Sequence, residues 1–475
     1  MSAWEGDLLG RAEVAEFLQN LLENDNDDIK VVNIDSPWGT GKTFFLERWC
    51  KHLSDERGVV YFNAWEKDYT GDPFISLVSA IRDQLKVQRS MSGDIEDTIK
   101  DFTTKAKNIF LSTAPGLTKL VSKGLLKKLI AVEGEELAAT LEAVTDEVAD
   151  KAVEALIVNS EKDHEAVKQF REVFEKLVTE VSAEKSTENG SFPVYVFIDE
   201  LDRCRPTYAI ELLERIKHFF DVPGCIFIIA TDTKQLGHSI KAVYGGGFDS
   251  FEYLKRFFDI TYSLDNSDVE LWVSANFDIP KNKGYNCLEL TRNYNTNRQD
   301  MAWASNKKQV PPDENAVVCE NADLNEMQII FVSLFKTFRV SLRDLMKIRS
   351  HIKASISSLT RSEIHFFLLC YLVFLKNSDV DLYKNFIKGD EKIFIESANK
   401  KYPPWSLYFI TKSVSVHDIA LCYLNASKSN PNDLRERLNK NLDRLNYQVK
   451  ILLDACNGED YSKYFKLVDL AIQIK

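Results

Sequence analysis

The feature that most constrains the fold is a Gly-Lys-Thr loop that stands between a β-rich run and a helical run. Residues 29–35 (IKVVNID) are β-rich and largely apolar, the loop occupies 36–43 (SPWGTGKT), and an amphipathic stretch follows at 43–53. A short apolar run that ends in a turn predicts a strand, and apolar side chains at helical spacing predict a helix. This part of the chain is therefore predicted to form a strand, a loop and a helix.

Further β-rich runs follow the loop, and helix-like segments separate them. Three of these runs, at 59–64, 194–198 and 225–230, each lead into such a segment, and a fourth lies at 260–264. Strands that alternate with helices predict a parallel sheet with both faces covered. The predicted fold class is α/β, with a long helical insertion in the sheet domain and a C-terminal helical domain.

The length predicts more than one packed unit, since 475 residues exceed what a single core usually organises. The second and third strands are separated by a helix-like stretch that is far longer than an ordinary connection. We predict five segments, which are the N-terminal half of the sheet domain (1–88), the helical insertion (89–190), the C-terminal half of the sheet domain (191–275), an irregular Asn-rich excursion (276–323) and the helical domain (324–475).

The sequence also predicts individual helices in the insertion and in the C-terminal domain. Within the insertion, 105–129 mixes Lys with apolar residues and is predicted to form a solvated helix or helix pair, with a helix on a membrane surface as the alternative. The apolar run 365–375 falls short of the roughly 20 residues that span a bilayer and is predicted to be a buried helix. The clearest C-terminal helices are predicted at 327–339, 341–354, 362–376 and 435–456.

Composition narrows the classes of function. The net charge of −12 and the pI near 5.3 disfavour a nucleic-acid binder that uses its whole surface, while a local basic groove stays open. The eight cysteines include no Cys-x-x-Cys pair, which indicates free thiols in a reducing compartment. The first residues lack the basic start and apolar stretch of a signal peptide. We therefore expect a cytoplasmic chain without a membrane span.

The loop at 36–43 nearly matches the phosphate-binding pattern G-x-x-x-x-G-K-[ST]. Backbone N–H groups of such a loop and the N-terminus of the next helix surround a phosphate. Lys42 is predicted to reach the β- and γ-phosphates, and the Thr43 hydroxyl is predicted to hold Mg²⁺. Ser36 replaces the usual first glycine of the pattern. Weaker nucleotide affinity is expected, because the backbone conformations of such loops cost free energy in a residue that has a Cβ. The predicted nucleotide contacts are Pro37, Trp38, Gly39, Thr40, Gly41, Lys42, Thr43 and Phe44.

The third strand ends in the acidic run Asp199-Glu200-Leu-Asp202-Arg203. Ligands of parallel sheets bind at the carboxyl ends of the strands, so Asp199 is predicted to hold Mg²⁺, directly or through water. Glu200 is the predicted general base that polarises the attacking water, which hydrolysis needs and nucleotide binding does not. For Asp202 and Arg203, a salt-bridged helix cap and a catalytic role are equally open.

Two features resemble one division of the P-loop NTPases, which includes the AAA+ and STAND ATPases. An extra strand at 59–64 lies between the phosphate-loop strand and the acidic strand, and the acidic strand ends in Asp-Glu. In that division a polar residue at the end of the next strand senses the γ-phosphate. The resemblance implies that Thr231 or Asp232 is this sensor, and a simple turn is the alternative.

Four motifs narrow the resemblance to the KAP family of P-loop NTPases. They are PWGTGKT at 37–43, FNAWE at 62–66, FIDELDRC at 197–204 and YLKRFF at 253–258. A weaker match to the family's closing helix lies at 341–349. The resemblance implies a P-loop NTPase sheet that binds ATP with Mg²⁺. Many family members carry membrane-spanning helices where this chain has its insertion, and this sequence lacks them.

The resemblance also implies roles for three arginines. Arg11 belongs to a segment that looks like the entrance loop near the nucleotide base. Arg256 occupies the position where related ATPases present an arginine finger to a neighbouring subunit, and a surface basic pair with Lys255 is the alternative. Arg343 could act as a sensor in cis, with an ordinary helix salt bridge as the alternative.

The remaining sequence contains no nuclease, protease, methyltransferase or hydrolase pattern, so an effector is expected on a separate chain. Large rings at strand ends more often fill core than stack on a base, so a structural role is expected for Trp65. Bacterial KAP proteins resemble components of phage-exclusion systems. The leading hypothesis is an ATP-hydrolysing sensor or assembly subunit that self-associates and acts with a separately encoded effector in anti-phage defence. The alternatives are a nucleotide-clamped scaffold with little turnover and a DNA-stimulated ATPase motor.

Overall fold

The chain divides into two compact units, Met1–Gly6 with Arg11–Leu264 and Asp7–Gly10 with Asp265–Lys475. The predicted excursion at 276–323 lies largely outside the described residues. The computed structural model describes residues 3–23, 29–70, 72–87, 93–113, 146–184, 192–265, 269–280, 283–286, 288, 290, 324–359, 364–409, 412–440 and 447–473.

The first unit contains a five-stranded sheet in which all strands are parallel. All five strands lie where the sequence predicts them, because each is a short run of β-branched and apolar residues. The predicted α/β fold with a parallel sheet is therefore confirmed. The strands are β1 (Val31–Asp35), β2 (Val59–Asn63), β3 (Val194–Asp199), β4 (Cys225–Thr231) and β5 (Ile260–Ser263).

The order of the strands across the sheet is β2-β3-β4-β1-β5. Along the chain β2 comes between the phosphate-loop strand β1 and the acidic strand β3, as predicted, whereas in the sheet the strand between them is β4. β2 instead forms the edge beside β3, with Asn63 opposite Asp199. Because β4 pairs with both β1 and β3, the loop after β1 and the acidic end of β3 lie at the same carboxyl edge of the sheet.

Helices cover both faces of this sheet. Side chains of α1 and α2, among them Leu18 and Trp49, share an apolar cluster with one face, and side chains of α4 to α9 share a second cluster with the other face. β3 and β4 are accordingly buried along their whole length. The helices are α1 (Arg11–Glu23), α2 (Lys42–Leu53), α3 (Ala64–Lys67), α4 (Pro73–Val87), α5 (Gly93–Thr113), α6 (Asp146–Glu184), α7 (Pro206–Phe219), α8 (Thr233–Tyr244) and α9 (Ser250–Leu254).

The predicted insertion contains α5 and α6, which pack along each other. Phe102 of α5 lies 5.2 and 5.5 Å, between ring centroids, from Phe170 and Phe174 of α6. Phe170 also contacts Phe74 of α4, at 5.3 Å. Buried side chains of α5 extend to Ile109, so the described part of the 105–129 stretch is a helix packed on protein. Residues 114–145 lie outside the described residues.

The second unit is mostly helical. The buried helix predicted at 365–375 is confirmed as α13 (Phe366–Ser378), in which every residue from Phe366 to Leu375 is buried. Where a single helix is predicted at 435–456, the structure has two helices that contact each other, α17 (Pro431–Lys440) and α18 (Tyr447–Cys456). Helical spacing alone does not tell where one helix ends and the next begins. In the part of the chain that the structure describes, no helix is both long enough and apolar enough to cross a bilayer. The elements are α10 (Glu270–Asn276), β6 (Tyr285–Asn286), α11 (Glu326–Phe338), α12 (Leu342–Ser358), β7 (Ile364–His365), α13 (Phe366–Ser378), α14 (Val380–Lys388), α15 (Glu391–Lys401), β8 (Ser406–Phe409), β9 (Lys412–Ser415), α16 (Val416–Lys428), α17 (Pro431–Lys440), α18 (Tyr447–Cys456) and α19 (Ser462–Ala471).

Gly58, just before β2, makes the packing of the insertion on the sheet testable. A Cβ at this position would lie 2.5 Å from Cγ1 of Val181 in α6 and 3.2 Å from Cγ2 of Val194 in β3. Because valine side chains are stiff, Gly58→Ala is expected to lower the free energy of unfolding by about 1–3 kcal/mol, measured by urea denaturation. Gly246→Ala, whose Cβ meets no atom within 4 Å, is the control. Equal stability of the two variants would contradict this packing.

Candidate active site

The phosphate loop joins the end of β1 to Lys42, the first residue of α2. Its left-handed backbone positions are Gly39 (φ 83°) and Gly41 (φ 94°). Ser36 is not among the positive-φ residues, so its Cβ carries no backbone penalty, and the reason given for weaker affinity is wrong. The Ser36 hydroxyl instead lies 2.7 Å from the Thr40 hydroxyl, which donates to the Pro37 carbonyl oxygen at 2.8 Å. These bonds brace the first half of the loop.

Lys42 is buried beneath the loop. Its Nζ donates to the carbonyl oxygen of Ser36 at 2.5 Å and lies 3.4 Å from that of Pro37. Burial lowers the pKa of Lys42, and four nearby carboxylates oppose this shift. A cation held by carbonyl oxygens and surrounded by carboxylates is suited to a phosphate whose charge is shared with a metal. The carboxylates, in order of effect, belong to Asp202, Asp232, Asp199 and Asp35.

Asp199 ends β3 and is almost fully buried. Its Oδ1 accepts a hydrogen bond from the backbone N–H of Glu200 at 2.8 Å, and its Oδ2 accepts one from the Tyr61 hydroxyl at 2.8 Å. Sequence reasoning missed Tyr61. The signal that could have found it is the alternation along β2, which turns Tyr61 to the same side as Asn63, the residue opposite Asp199.

Glu200 is held on both carboxylate oxygens. Its Oε1 lies 2.7 Å from Nη1 of Arg203, and its Oε2 lies 3.4 Å from Nδ2 of Asn63. The backbone of Glu200 is left-handed (φ 58°, ψ 28°), which is uncommon for a residue with a Cβ. A general base needs a carboxylate oxygen that can accept a proton from water. Each oxygen of Glu200 keeps a lone pair beside its present partner, so the predicted base can still accept a proton from water.

Trp38 and Trp65 beside the site are both about half exposed, so the expectation that Trp65 fills core is wrong. The indole N–H of Trp38 donates to the carboxylate of Asp202, and the guanidinium of Arg203 lies 5.5 Å from the ring centroid of Trp65. Trp38 lies on the phosphate loop and Trp65 lies in the short helix α3 that follows β2, and neither ring belongs to an apolar cluster of the sheet. Asp202 and Arg203 thus contact the two tryptophans and do not cap a helix.

The two sensor candidates after β4 differ in their contacts. Thr231 is fully buried, and its hydroxyl donates to Oδ1 of Asn33 at 2.7 Å and lies 3.2 Å from the Thr233 hydroxyl. Asp232 caps α8 by accepting the backbone N–H of Gln235 at 3.1 Å, and it is close enough to Lys42 to raise the pKa of that ammonium. Of the two, Asp232 is the residue that the structure brings to Lys42, and the sensor role itself stays a prediction.

The predicted arginines lie in different surroundings. Arg11 is buried at the start of α1. Arg256 is exposed in the turn after α9, and within the described residues its guanidinium forms no ion pair, whereas Lys255 pairs with Glu252. Arg343 is exposed on α12 of the second unit. Exposure of Arg256 is what a finger for a neighbouring subunit requires, and that role also stays a prediction.

Two further residues of α2 belong to the neighbourhood of the site. Phe44, a predicted nucleotide contact, is covered by the guanidinium of Arg48 at 4.2 Å from the ring centroid. Glu47, which sequence reasoning missed, lies near the acidic end of β3. Burial, followed by the charges of Asp199 and Glu200, raises the pKa of Glu47. Residues four apart share a helix face, so Thr43 faces the same way as Glu47.

Thr43 and Asp199 fit a metal that arrives with a phosphate rather than a resident one. Among the residues that the structure describes, no three His, Cys, Asp or Glu side chains are grouped to hold a metal ion. Mg²⁺ commonly takes one or two carboxylates and completes its shell with water and substrate phosphate. A Cβ at Gly41 would meet no atom within 4 Å, so open space lies in front of the loop.

The KAP family P-loop domain matches residues 11–271, which is more than half of the 475 residues. The chain belongs to the KAP family. A P-loop domain of this family is a nucleotide-binding domain of the NTPase type, which agrees with the loop, the buried lysine and the acidic strand end described above. An uncharacterized protein of Methanocaldococcus jannaschii is 26% identical over 176 residues, which cover 34% of this chain and 84% of that protein.

The bond between the Ser36 and Thr40 hydroxyls leads to a prediction for this KAP domain. Ser36→Ala removes the bond and is expected to weaken nucleotide binding about two- to tenfold, measured by calorimetry, as a lost hydrogen bond of about 0.5–1.5 kcal/mol implies. Ser36→Gly should bind no more tightly than the natural protein, because Ser36 pays no backbone penalty. Ser54→Ala, which loses a hydroxyl bond at the other end of α2, is the control. Tighter binding by Ser36→Gly would contradict the argument.

Proposed function

We propose that this KAP-family protein binds ATP with Mg²⁺, hydrolyses it, and uses the cycle to switch a partner assembly. One observation carries the proposal: the buried ammonium of Lys42 and the carboxylate of Asp199 lie close enough to interact at the carboxyl edge of one sheet. In a phosphate loop, the first group serves the triphosphate and the second serves its metal.

The binding step follows from charge. The backbone N–H groups of the loop and the N-terminus of α2 would bind the phosphates, and Lys42 would exchange its bonds to loop carbonyl oxygens for phosphate oxygens. Carboxylates surround Lys42, so a triphosphate without a divalent cation would be repelled. Mg²⁺, when bound, supplies the charge that offsets this repulsion, and Thr43 and Asp199 are the residues that would hold it.

The hydrolytic step depends on Glu200. Its carboxylate would accept a proton from the attacking water through a lone pair that Arg203 and Asn63 leave free. The second candidate function is a nucleotide-clamped scaffold with little turnover, which these contacts would favour if they hold the carboxylate turned away from the water. The measured hydrolysis rate decides between an ATPase and a clamp.

The cellular role is proposed from the family resemblance. We infer an ATP-dependent sensor or assembly subunit that acts with a separately encoded effector in anti-phage defence. The exposure of Arg256 supports self-association, since a finger must reach out of its own subunit. Equal phage plating on cells with the natural gene, with Lys42→Ala and with no gene would rule out the defensive role.

The first test separates binding from hydrolysis. Lys42→Ala is expected to lose most of its nucleotide affinity, because the only ammonium predicted to reach the phosphates is gone. Glu200→Gln is expected to keep nucleotide binding and to lower kcat by about 10²–10⁴-fold, which is the usual contribution of a general base. Lys51→Ala, on the exposed side of α2, is the control. A measurable natural rate that Glu200→Gln leaves unchanged would exclude Glu200 as the base.

The second test concerns Arg256. Arg256→Ala is expected to lower kcat about 10³-fold or more, as the loss of an arginine finger does. Mixing Arg256→Ala with Lys42→Ala protein should restore part of the activity, because a subunit with an intact nucleotide site then receives a finger from the other variant. Lys255→Ala, the neighbouring exposed cation, is the control. No restoration at any mixing ratio would show that Arg256 does not act between subunits.

A further inference from the structure

We propose that Tyr61 and Gln84 are positioning residues that set the orientation of the Asp199 carboxylate for the metal. This inference rests on the proposed function, since it concerns how Mg²⁺ is received at that site. It is carried by a chain of hydrogen bonds that runs from α4 through the edge strand β2 to the end of β3.

The last link of the chain is the Tyr61 hydroxyl. It donates to Oδ2 of Asp199 at 2.8 Å, while the backbone N–H of Glu200 donates to Oδ1 at 2.8 Å. With one donor on each oxygen the carboxylate cannot rotate, yet each oxygen keeps a lone pair for a metal or a metal-bound water. Partners of this kind commonly fix the orientation of metal-binding side chains.

Tyr61 is itself held from outside the sheet. β2 is the edge strand, so among the described residues no strand pairs with the backbone groups on its outer side. The side-chain amide of Gln84 in α4 takes that place: the N–H of Tyr61 donates to Oε1 of Gln84 at 2.8 Å, and Nε2 of Gln84 donates to the Tyr61 carbonyl oxygen at 2.7 Å. One side chain therefore satisfies both backbone groups of the residue that orients Asp199.

The chain of bonds also reaches the helical insertion. α4, which carries Gln84, packs against α5, and its Phe74 lies 5.3 Å from Phe170 of α6, measured between ring centroids. A shift of α4 along β2 would therefore move the backbone of Tyr61 and, with it, the donor to Asp199. Packing contacts and hydrogen bonds therefore connect the insertion, through α4 and β2, with the carboxylate that would hold the metal.

The decisive variant is Tyr61→Phe, which removes one hydroxyl and keeps the ring. We expect the Mg²⁺ concentration for half-maximal tightening of ATP binding to rise about tenfold, the lower end of what second-shell partners of metal ligands contribute. ATP binding in the presence of a chelator should stay unchanged, because the phosphate loop is intact. Both values come from displacement of a fluorescent ATP analogue, with and without Mg²⁺, and need no turnover.

The matched control is Tyr195→Phe. Tyr195 is a fully buried tyrosine of β3, whereas Tyr61 is partly buried, but its hydroxyl likewise donates to a carboxylate, here Oε1 of Glu23 at 3.0 Å, away from the phosphate loop. It should lower the thermal unfolding temperature, as Tyr61→Phe does, without changing the Mg²⁺ requirement. A loss of stability is thereby separated from a loss of metal positioning.

Gln84 provides an independent test. Gln84→Glu keeps an acceptor for the Tyr61 N–H and loses the donor to its carbonyl oxygen, whereas Gln84→Leu loses both. The Mg²⁺ requirement is expected to rise in the order natural protein, Gln84→Glu, Gln84→Leu. Combined with Tyr61→Phe, Gln84→Leu should add little, because both changes act through the same hydroxyl.

The outcomes distinguish this inference from the proposed function. If the natural protein binds no ATP with Mg²⁺, the proposed function fails. If it binds ATP in a Mg²⁺-dependent way and Tyr61→Phe needs no more Mg²⁺ than Tyr195→Phe, the positioning role is overturned while the function stands. Full additivity of Gln84→Leu and Tyr61→Phe would overturn the link between the two residues.

Discussion

The buried ammonium of Lys42 is the interaction on which the sheet domain depends. A cation removed from water is costly unless hydrogen bonds or opposite charges compensate it. Loop carbonyl oxygens hold it, and carboxylates at the ends of β1, β3 and β4 surround it. Those carboxylates can meet only if the three strands end at one level, which the parallel register brings about. The charge cluster and the sheet topology therefore require each other.

Around this cluster, each acidic group that the chemistry would use already has protein donors. Asp199 accepts from Tyr61 and from a backbone N–H, and Glu200 accepts from Arg203 and Asn63. The donors of Asp199 set the orientation in which its carboxylate would meet a metal, and the partners of Glu200 set the orientation in which it would meet a water. Each oxygen of both groups keeps a lone pair for that purpose.

Much of the fold could be predicted from the sequence because its signals are local. The five strands, the buried helix α13 and the loop before Lys42 each show within a dozen neighbouring residues, as periodicity or as a contiguous motif. The errors concern relations between segments. Nothing local to residues 59–64 tells that β4 separates β1 from β3 in the sheet, and nothing local to Trp65 tells that its half-exposed ring lies beside Arg203.

The sequence by itself determined the class of the protein and the groups meant for a phosphate, because a glycine-containing loop, a lysine and a helix N-terminus are consecutive in the chain. Only the tertiary structure decided how the acidic residues are held. Tyr61 lies 138 residues before Asp199, and Gln84 lies 23 residues after Tyr61, so their bonds depend on strand order and helix packing. Contacts between distant segments form only when the whole sheet domain folds, and no short stretch of sequence records them.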